Sequence, residues 1–492
     1  MKIGTTNLRG LVLGLGMIAM PAMAQQQASI DPGLSTTSTQ AEPGKTIKEA
    51  LHFTGHVINS AYLNPIIRPV TSTQRLFFLV TDSALGFANR LSISAVRRPL
   101  VENIPVPPLA DSAPMDLDLW EEKLDRITGT SLVDGKINLL VDGDEFFPAL
   151  IEAINTASES VKVRTYIFDN DDYALEIADL LKIRSQETVV KVMLDGLGTL
   201  SGSWVDAKTQ PSSHVPPATI EGYLKNDSSV KTRTLPNPWF SGDHIKSIVI
   251  DERIAFTGGM NIGREYRYEW HDLMMELRGP VVEKINRDFD NTWLHGSLLG
   301  DMALLANLFS STKQLDDSEG YPVRLLYTRP HHSQIYHAQL AAIRSAQQYI
   351  FIQNAYFSDD LMLLELIRAR RRGVDVRVII PSRGDNGPMD RSNILTVNSM
   401  LGNGIRVYIY PGMSHIKAAI YDDWACLGTA NFDKLSLRVN QEMNIATSHP
   451  EFVAELRERV FMTDFEKSTE VKSALPHEWT DYLHEVLADE FL

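Results

Sequence analysis

The sequence has a single cysteine, no excess of basic residues, and no long apolar run beyond its first residues. Cys426 has no partner for a disulfide within the chain, and metal binding by a cysteine cluster is excluded. The formal net charge of −15 argues against a broad nucleic-acid-binding surface, because such surfaces hold phosphates with clustered lysine and arginine. The absence of another long apolar run argues against an integral membrane protein.

The N-terminus has the pattern of a secretory signal. Lys2 and Arg9 form a basic region, and residues 11–20 (LVLGLGMIAM) are apolar but too short to span a bilayer. Ala22-Met23-Ala24 is an A-x-A cleavage site. We therefore predict a signal peptide at 1–24, with an uncleaved anchor as the alternative. The expected location is the periplasm, peripheral to the inner membrane.

Residues 25–118 are predicted to precede the main folded body. They begin as a polar leader rich in Ser, Thr and Gln, continue as a helical region from 46 to 98, and end in a proline-rich linker at 99–114. The helical region could pack on the body or lie on a membrane surface. Core packing is favoured, since no basic face accompanies its apolar positions.

Two similar units follow, at 119–310 and 321–492, with the polar stretch 310–320 between them. Each begins with a strand, an amphipathic helix and a second strand, and then continues with another helix and strand. This alternation predicts an α/β fold with two lobes related by pseudo-two-fold symmetry. Each lobe is expected to be a mostly parallel mixed sheet flanked by helices.

An unusual motif occurs once in each unit. The first copy is HIKSIVIDERIAFTGGMNIG, beginning at His244, and the second is HIKAAIYDDWACLGTANFD, beginning at His415. Both have the form H-x-K-x4-D, followed by an apolar run, a turn of small residues and an asparagine. One copy alone would be typical of a surface strand, but two copies in matching surroundings indicate two halves of one active site.

The histidine and lysine of each copy suit a phosphoryl group. On a strand, His244 and Lys246 point to the same face, and so do His415 and Lys417. Lysine stabilises charge on phosphate oxygens, and histidine serves as a nucleophile or as a general acid and base. These four residues are therefore candidate catalytic residues.

The aspartates that complete the motif, Asp251 and Asp422, are grouped with the candidate catalytic residues. Asp251 lies at odd spacing from Lys246, near the end of the predicted strand. That position favours a structural hydrogen-bond acceptor over a reacting group.

Two further positions repeat in each copy. Asn261 and Asn431 follow the small-residue turns, where their amides can donate to phosphate oxygens without adding charge. Asp272 and Glu442 come later, each in an apolar, strand-like setting. A carboxylate on one imidazole nitrogen fixes the tautomer and raises the basicity of the other nitrogen, so we predict that these two orient the histidines.

The remaining histidines, including His271, have no repeated context and are predicted to lie outside the site. Trp270 is predicted to be a core residue. The adjacent His331 and His332 have no H-x3-H pattern with a carboxylate, and they are interpreted as loop residues.

At these residues the sequence resembles the phospholipase D superfamily, whose signature is a pair of H-x-K-x4-D motifs. The resemblance extends from about Ile137 to Asp464. The runs FTGGMNIGREY, WHDLMMELRGPVVEKINRDFDNTW and GTANFDKLSLRVNQEMN are similar to its bacterial cardiolipin synthase branch. The resemblance implies a monomeric two-lobed fold, one site at the lobe interface, no metal or other cofactor, and a covalent phosphohistidine intermediate.

The resemblance also implies a role for each residue. His244 would attack phosphorus, and His415 would protonate the leaving alcohol and then deprotonate the incoming one. The exchanged assignment fits the nearly symmetric sequences equally. Both motif lysines and both asparagines would bind the phosphate, and Asp272 and Glu442 would each orient the histidine of the other lobe.

We predict an enzyme that transfers a phosphatidyl group from a phospholipid to an alcohol acceptor at a membrane surface, as a cardiolipin synthase does. With water as acceptor, the same residues would make a phospholipase D that releases phosphatidic acid. A phosphodiesterase or endonuclease is a weaker alternative, because the exported nucleases of the superfamily are short, basic and single-motif, and nucleic acid is not expected as a partner. A non-enzymatic scaffold is disfavoured by the intact histidine, lysine and aspartate of both copies.

Overall fold

The computed structural model describes residues 105–202, 207–238, 241–297, 300–302, 320–329 and 332–478, together with 68–77 and positions 55, 58, 60, 66 and 80. The predicted signal peptide, most of the leader and the boundary stretch 310–319 lie outside the described residues. Within the described residues, none of the helices combines the length and apolar character needed to cross a membrane.

The elements of the first lobe alternate strand and helix, and then turn to hairpins. A helix, α1 (Leu117–Thr128), precedes the lobe in the chain. The elements that follow are β1 (Val133–Val141), α2 (Asp142–Thr156), β2 (Ser160–Thr165), α3 (Asp172–Arg184), β3 (Val189–Asp195), α4 (Gly196–Gly202), α5 (Ile220–Lys225), β4 (Lys231–Leu235), β5 (Ser247–Ile250), β6 (Ile254–Gly258), α6 (Arg264–Tyr268), β7 (Leu273–Arg278), α7 (Val281–His295) and a 3₁₀ turn (Gly300–Met302).

The second lobe repeats this order with a different C-terminal end. Its elements are β8 (Tyr321–Arg329), β9 (His332–Ser333), α8 (Gln334–Ser345), β10 (Tyr349–Asn354), α9 (Asp360–Arg371), β11 (Asp375–Pro381), α10 (Gly387–Gly402), β12 (Arg406–Tyr410), β13 (Lys417–Tyr421), β14 (Trp424–Gly428), a π-helical turn (Leu435–Val439), β15 (Glu442–Thr447), α11 (Pro450–Leu456), a second π-helical turn (Arg457–Met462), α12 (Thr463–Lys467) and β16 (Thr469–Glu470).

The strands of both lobes join in one 16-stranded sheet. Its order is β16-β12-β11-β10-β13-β14-β15-β8-β1-β7-β6-β5-β2-β3-β4, with β9 paired to β8. The lobes meet where β8 and β1 pair antiparallel, with Val133 opposite Val323. From β12 to β8 and from β4 to β1, the corresponding strands of the two lobes follow the same order towards the centre of the sheet. The α/β fold and its pseudo-two-fold symmetry are therefore confirmed.

The pairing of neighbouring strands corrects one detail of the sequence prediction. Among the strands named above, within the described residues, parallel pairing is confined to β2-β3-β4 in the first lobe and β10-β11-β12 in the second. The motif strands β5 and β13 are antiparallel to both of their neighbours. The physical reason is the tight hairpin that follows each motif, which returns the chain directly beside the strand it leaves.

Alternate residues of the motif strands face different cores. In β5, Val249 lies in a core shared by both lobes, whereas Ile248 and Ile250 face the helices of the first lobe. In β13, Ala418 and Ile420 face the same shared core. This period of two fixes the halves of the sheet against each other and holds both motif strands at the lobe interface.

Helix α1 packs on the second lobe, although the predicted division at residue 119 falls inside it. Trp120 and Leu124 are buried in the second-lobe core, and the Trp120 ring meets Trp424 edge to face at 5.1 Å. Asp116 caps the N-terminus of the helix, and Gly129 ends it in the left-handed conformation. By packing, residues 117–128 therefore belong with the second lobe.

The described part of the region 46–98 contacts the body through polar side chains. Residues 69–77 are helical. Arg68 and Arg75 are buried, and the Arg68 guanidinium donates to the Ser297 carbonyl at 2.8 Å. Ile66 and Val70, in contrast, are 76% and 55% exposed. The described polar residues therefore contact the first lobe, and packing of the whole region 46–98 on the body stays a prediction.

Candidate active site

The two motif segments cross between the lobes. The His244 backbone N–H donates to the Gln441 carbonyl at 2.9 Å, and the His415 N–H donates to the His271 carbonyl at 2.7 Å. Each histidine lies just before its motif strand rather than within it, and Lys417 is the first residue of β13. Because each segment is hydrogen-bonded to the opposite lobe, the site forms only when the lobes are docked.

Each histidine is paired with a carboxylate of the other lobe. His244 Nδ1 lies 2.8 Å from Glu442 Oε1, and His415 Nδ1 lies 2.7 Å from Asp272 Oδ2. Both carboxylates are fully buried. Since Nδ1 faces a carboxylate in both halves, its hydrogen points to that carboxylate and Nε2 keeps a lone pair for chemistry.

The electrostatic setting favours neutral imidazoles. Burial, with a further contribution from the nearby lysines, lowers the pKa of His244 and His415 well below the usual range. Burial also raises the pKa of Asp272 to about 7 and that of Glu442 to about 8. Each pair therefore shares one proton between Nδ1 and a carboxylate oxygen and titrates as a unit.

The two motif lysines flank the histidines. The ammonium groups of Lys246 and Lys417 donate to the backbone carbonyls of His244 and His415, respectively, the former at 2.9 Å. Burial lowers the pKa of Lys246 to about 7, against the attraction of Glu442, and that of Lys417 to about 8. A bound phosphate anion would favour the charged form of both ammonium groups and would be stabilised by them.

The two carboxylates are held by different neighbours. The Thr429 hydroxyl donates to Glu442 Oε2 at 2.5 Å. The corresponding turn residue of the first lobe is Gly259, where an added Cβ would overlap the Asp272 carboxylate. Asp272 Oδ1 instead accepts from the Leu273 backbone N–H at 2.8 Å. Asp272, the shorter acid, therefore lies beside Gly259, whereas Glu442, the longer acid, lies beside Thr429.

Asp251 and Asp422 lie away from the reacting groups, which corrects their grouping with the catalytic residues. Asp251 accepts from the backbone N–H groups of residues 158–160 at 2.7–2.8 Å. Asp422 accepts from residues 347–349 at 2.9–3.0 Å and from Met115 at 2.8 Å. Each aspartate lies five positions after its motif lysine, or roughly 16 Å of extended chain. Their role is to fix the hairpin and the start of the adjacent strand.

The two asparagines differ from each other. Asn261 Oδ1 accepts from the Ile167 N–H at 3.0 Å, and its Nδ2 donates to the Tyr266 hydroxyl at 2.8 Å. This leaves one amide hydrogen for a ligand. Asn431 is buried beside Asp433, and within the described structure its Oδ1 has no hydrogen-bond partner. A phosphate contact by either residue stays a prediction.

Four residues around the site were not among those predicted for it. The Tyr166 ring lies 4.7 Å from the His244 ring, and Trp270 and Tyr266 lie 5.3 Å and 5.8 Å from the His415 ring. The His271 backbone carbonyl accepts from the His415 N–H, and His271 directly precedes Asp272. Tyr166 follows the end of β2, so the position of ligands at strand ends was a usable signal.

An acidic cluster away from the motifs has oxygens close enough to hold a cation. Its members, within the described structure, are Asp169, Asp171 and Glu265. Asp171, however, already accepts from the backbone N–H groups of Ala174 and Arg264, as a helix cap. The cluster contains none of the motif residues.

Comparison with known proteins identifies the two lobes. The family described as "Cardiolipin synthase, PLD-like domain" matches residues 150–293 and 340–462. Cardiolipin synthase A of Pseudomonas syringae is 27% identical over 372 residues, covering 72% of this chain and 74% of that protein. Cardiolipin synthase 2 of Bacillus cereus is 30% identical over 346 residues, covering 68% of this chain and 65% of that protein.

The fold has a counterpart among solved structures. Phosphatidylserine synthase of Haemophilus influenzae superposes with a TM-score of 0.59 at 14% identity, covering 76% of this chain and 99% of that one. At that identity the likeness concerns the fold. With the family match over both lobes, these findings show that the chain is an enzyme of the phospholipase D superfamily and belongs to the cardiolipin synthase family with PLD-like domains.

Proposed function

We propose that the enzyme transfers a phosphatidyl group from a glycerophospholipid to an alcohol through a phosphohistidine, as a cardiolipin synthase. The observation that carries this proposal is the crossed arrangement of His244 with Glu442 and His415 with Asp272. It provides two neutral imidazoles, each with a fixed tautomer, beside two lysine ammonium groups. A double displacement at phosphorus requires one nucleophile and one proton carrier, and the site contains one of each.

In the first step, His244 Nε2 forms a bond to phosphorus while the bond to the leaving alcohol breaks. His415, which takes up a proton on Nε2 when the anionic phosphodiester binds beside it, gives that proton to the leaving oxygen. In the second step, His415 takes the proton of the incoming hydroxyl, the new O–P bond forms, and the N–P bond breaks. Lys246 and Lys417 stabilise the charge on the non-bridging oxygens in both steps. The names of the relatives support a phospholipid donor.

Lipid analysis tests this proposal. The purified chain is incubated with phosphatidylglycerol vesicles, and the expected products by mass spectrometry are cardiolipin and glycerol. His244→Ala and His415→Ala are each expected to lose this activity. Phosphatidic acid without cardiolipin would mean that the enzyme is a hydrolase. Cleavage of plasmid DNA that persists in EDTA, with no lipid product, would favour the nuclease alternative.

The phosphohistidine is tested by rapid quenching. A phosphorus–nitrogen bond to imidazole survives in base and breaks in acid, so an alkaline quench should retain the lipid phosphate on the protein. His244→Ala should retain none. Equal labelling of wild type and His244→Ala would reassign the nucleophile.

The enzyme is further proposed to act as a monomer at a membrane surface after export. Both halves of the site come from one chain, which supports the monomer, and the N-terminal sequence supports export to the periplasm. Size-exclusion chromatography with light scattering tests the first point. Cell fractionation of the full chain tests the second, with recovery in the cytoplasm as the contrary result.

A further inference from the structure

One carboxylate beside the two lysines differs from the others in its exposure. Within the described structure, the carboxylates of five residues act most strongly on Lys246 or Lys417: Asp195, Asp272, Asp385, Asp433 and Glu442. Four of these are at most 4% exposed, whereas Asp385 is exposed to solvent. Lys417 lies opposite Asn354 on the neighbouring strand β10, and Tyr356, the partner of Asp385, follows Asn354 by two residues. Asp385 therefore lies at the solvent-exposed edge of the site, close to Lys417.

The loop that carries Asp385 lies where α/β sheets bind ligands. It joins the end of β11 to the start of α10, at the carboxyl end of a parallel strand. Tyr356, which follows the neighbouring parallel strand β10, donates its hydroxyl to Asp385 Oδ1 and accepts from the Asp385 backbone N–H at 3.1 Å. Asp385 is thereby fixed relative to the sheet.

The negative charge of Asp385 restricts the chemical groups of a ligand that it can bind. The donor phosphodiester is an anion and belongs on the lysines, and a carboxylate repels it. A cationic headgroup at Asp385 would meet the repulsion of Lys246 and Lys417, which both act on Asp385. A neutral hydroxyl meets neither penalty, and it donates a charge-assisted hydrogen bond to the carboxylate.

We propose that Asp385, held by Tyr356, binds a second hydroxyl of the acceptor and thereby selects polyols such as the glycerol moiety. This inference rests on the proposed transferase function. One hydroxyl of the acceptor attacks phosphorus, and its neighbour donates to Asp385. The glycerol moiety can come from free glycerol or from the headgroup of phosphatidylglycerol, and both offer the same adjacent hydroxyls.

A competition assay tests the proposal. Phosphatidylglycerol vesicles are incubated with the full chain in the presence of ethanol and isotopically labelled glycerol. All acceptors then compete for the same phosphatidyl-enzyme, so the product ratio is independent of the donor step. Cardiolipin reports the lipid headgroup, labelled phosphatidylglycerol reports free glycerol, and phosphatidylethanol reports an alcohol with no second hydroxyl.

Asp385→Ala is expected to lower the glycerol-derived products relative to phosphatidylethanol about tenfold or more, the usual effect of losing a charge-assisted hydrogen bond. Asp385→Asn and Tyr356→Phe should give smaller shifts in the same direction. Glu451→Gln, which changes a carboxylate that is 92% exposed, is the matched control and should leave the ratio unchanged. A fall in cardiolipin alone would assign the headgroup as the ligand, and a fall in labelled phosphatidylglycerol alone would assign free glycerol.

An unchanged ratio in Asp385→Ala and Asp385→Asn would overturn the inference while leaving the transferase function intact. The absence of any transfer product in the wild-type chain would instead overturn the proposed function. Unfolding midpoints identify a folding defect in Asp385→Ala, in which case the product ratios of Asp385→Asn and Tyr356→Phe decide.

Discussion

The two half-sites have the same geometry but rest on different supports. In the first, Asp243 precedes His244, and its carboxylate is held by the Arg164 guanidinium at 2.7–2.9 Å. Arg164 also contacts Asp288 at 2.8 Å and Gln441 at 3.4 Å. The permanently charged Arg164 thus links Asp243 to helix α7 of the first lobe and to Gln441, which precedes Glu442.

In the second half-site, the corresponding support comes from a neutral amide, Gln353, and a titrating ring, His271. Gln353 donates to Ser414 at 2.9 Å and to Asp464 at 2.8 Å. His271 lies between Asp142 and Asp464, with one ring nitrogen 2.7 Å from each carboxylate. A guanidinium remains charged at any working pH, whereas an imidazolium does not. Two half-sites with the same catalytic geometry can therefore differ in support: the support of the second depends on pH, and that of the first does not.

The largest expected effect comes from removing either orienting carboxylate. Asp272→Asn and Glu442→Gln should each lower the rate of phosphatidyl transfer on the order of 10³–10⁴-fold, because an amide stabilises the wrong imidazole tautomer. Initial rates measure this, with Glu451→Gln as the control of equal charge change.

A phosphatidyl donor with p-nitrophenol as its leaving group distinguishes the roles of the two half-sites. Because p-nitrophenolate departs without protonation, the first step with this donor needs the nucleophile but not the acid. Asp272→Asn should then keep a burst of p-nitrophenolate, and Glu442→Gln should lose it. The reverse pattern would exchange the roles of the two histidines.

The two supports should differ in their contribution to stability. Arg164→Met leaves Asp243 and Asp288 buried without their partner and should lower the free energy of unfolding by about 3–5 kcal/mol. Gln353→Met removes neutral hydrogen bonds and should cost about 1–2 kcal/mol. Denaturant unfolding measures both values. Adding Asp243→Asn to Arg164→Met should recover part of the loss, and equal costs for the two single variants would contradict the comparison.

The His271 side should contribute its own part to the pH dependence of stability. Burial alone would lower the pKa of His271, but its hydrogen bonds to Asp142 and Asp464 outweigh burial and raise the pKa to about 9. A raised pKa means that the stabilisation is fully present below the unfolded value of about 6.5 and is lost as pH rises through about 9. The expected loss is about 3 kcal/mol.

Unfolding free energies between pH 6 and 10 test this expectation. His271→Gln, which copies the residue before the other carboxylate, should remove the loss of about 3 kcal/mol near pH 9 that His271 contributes. Tyr410, which stacks on the His271 ring at 4.6 Å, and Lys467, 3.9 Å from Asp464, face the same group and are kept unchanged. An unaltered slope in His271→Gln would assign the pH dependence to another group.

The repeat in the sequence predicted what the two halves share and missed what differs. The spacing of His244, His415, Asp272 and Glu442 was visible because each has a counterpart in the other copy. His271 has Gln441 as its counterpart, so no repeated histidine marked it. A support that each copy builds from different residue types leaves no repeat in the sequence.

Two other outcomes, the role of Asp251 and the pairing of the motif strands, depend on residue spacing and on the turns after the motifs. The position of Asp251 at odd spacing correctly indicated a structural acceptor. The hairpins after the motifs lack a glycine signal: Asp251 and Asp422 themselves adopt left-handed φ values of 51° and 49°. Antiparallel pairing of the motif strands therefore had no local mark, and the βαβ pattern alone suggested parallel neighbours.

The smallest expected effect concerns the hydroxyl that only the second lobe provides. Thr429 donates to Glu442 Oε2 and accepts from the Met443 N–H at 3.0 Å. Thr429→Val keeps the shape and removes the hydroxyl, which should weaken the hold on Glu442 by about 1 kcal/mol, or about fivefold in rate. Thr429→Ser keeps the hydroxyl and should retain nearly full activity.

The first lobe works with Gly259 at this position, so the hydroxyl tunes Glu442 and is not required by the geometry. Transfer rates of both variants at saturating phosphatidylglycerol measure the effect. Equal rates for Thr429→Val and Thr429→Ser would show that burial and the contact with His244 hold the Glu442 side chain without the hydroxyl. A loss as large as that of Glu442→Gln would show instead that the hydroxyl sets the position of the carboxylate, and the two half-sites would then differ in how their acids are fixed as well as in how their backbones are supported.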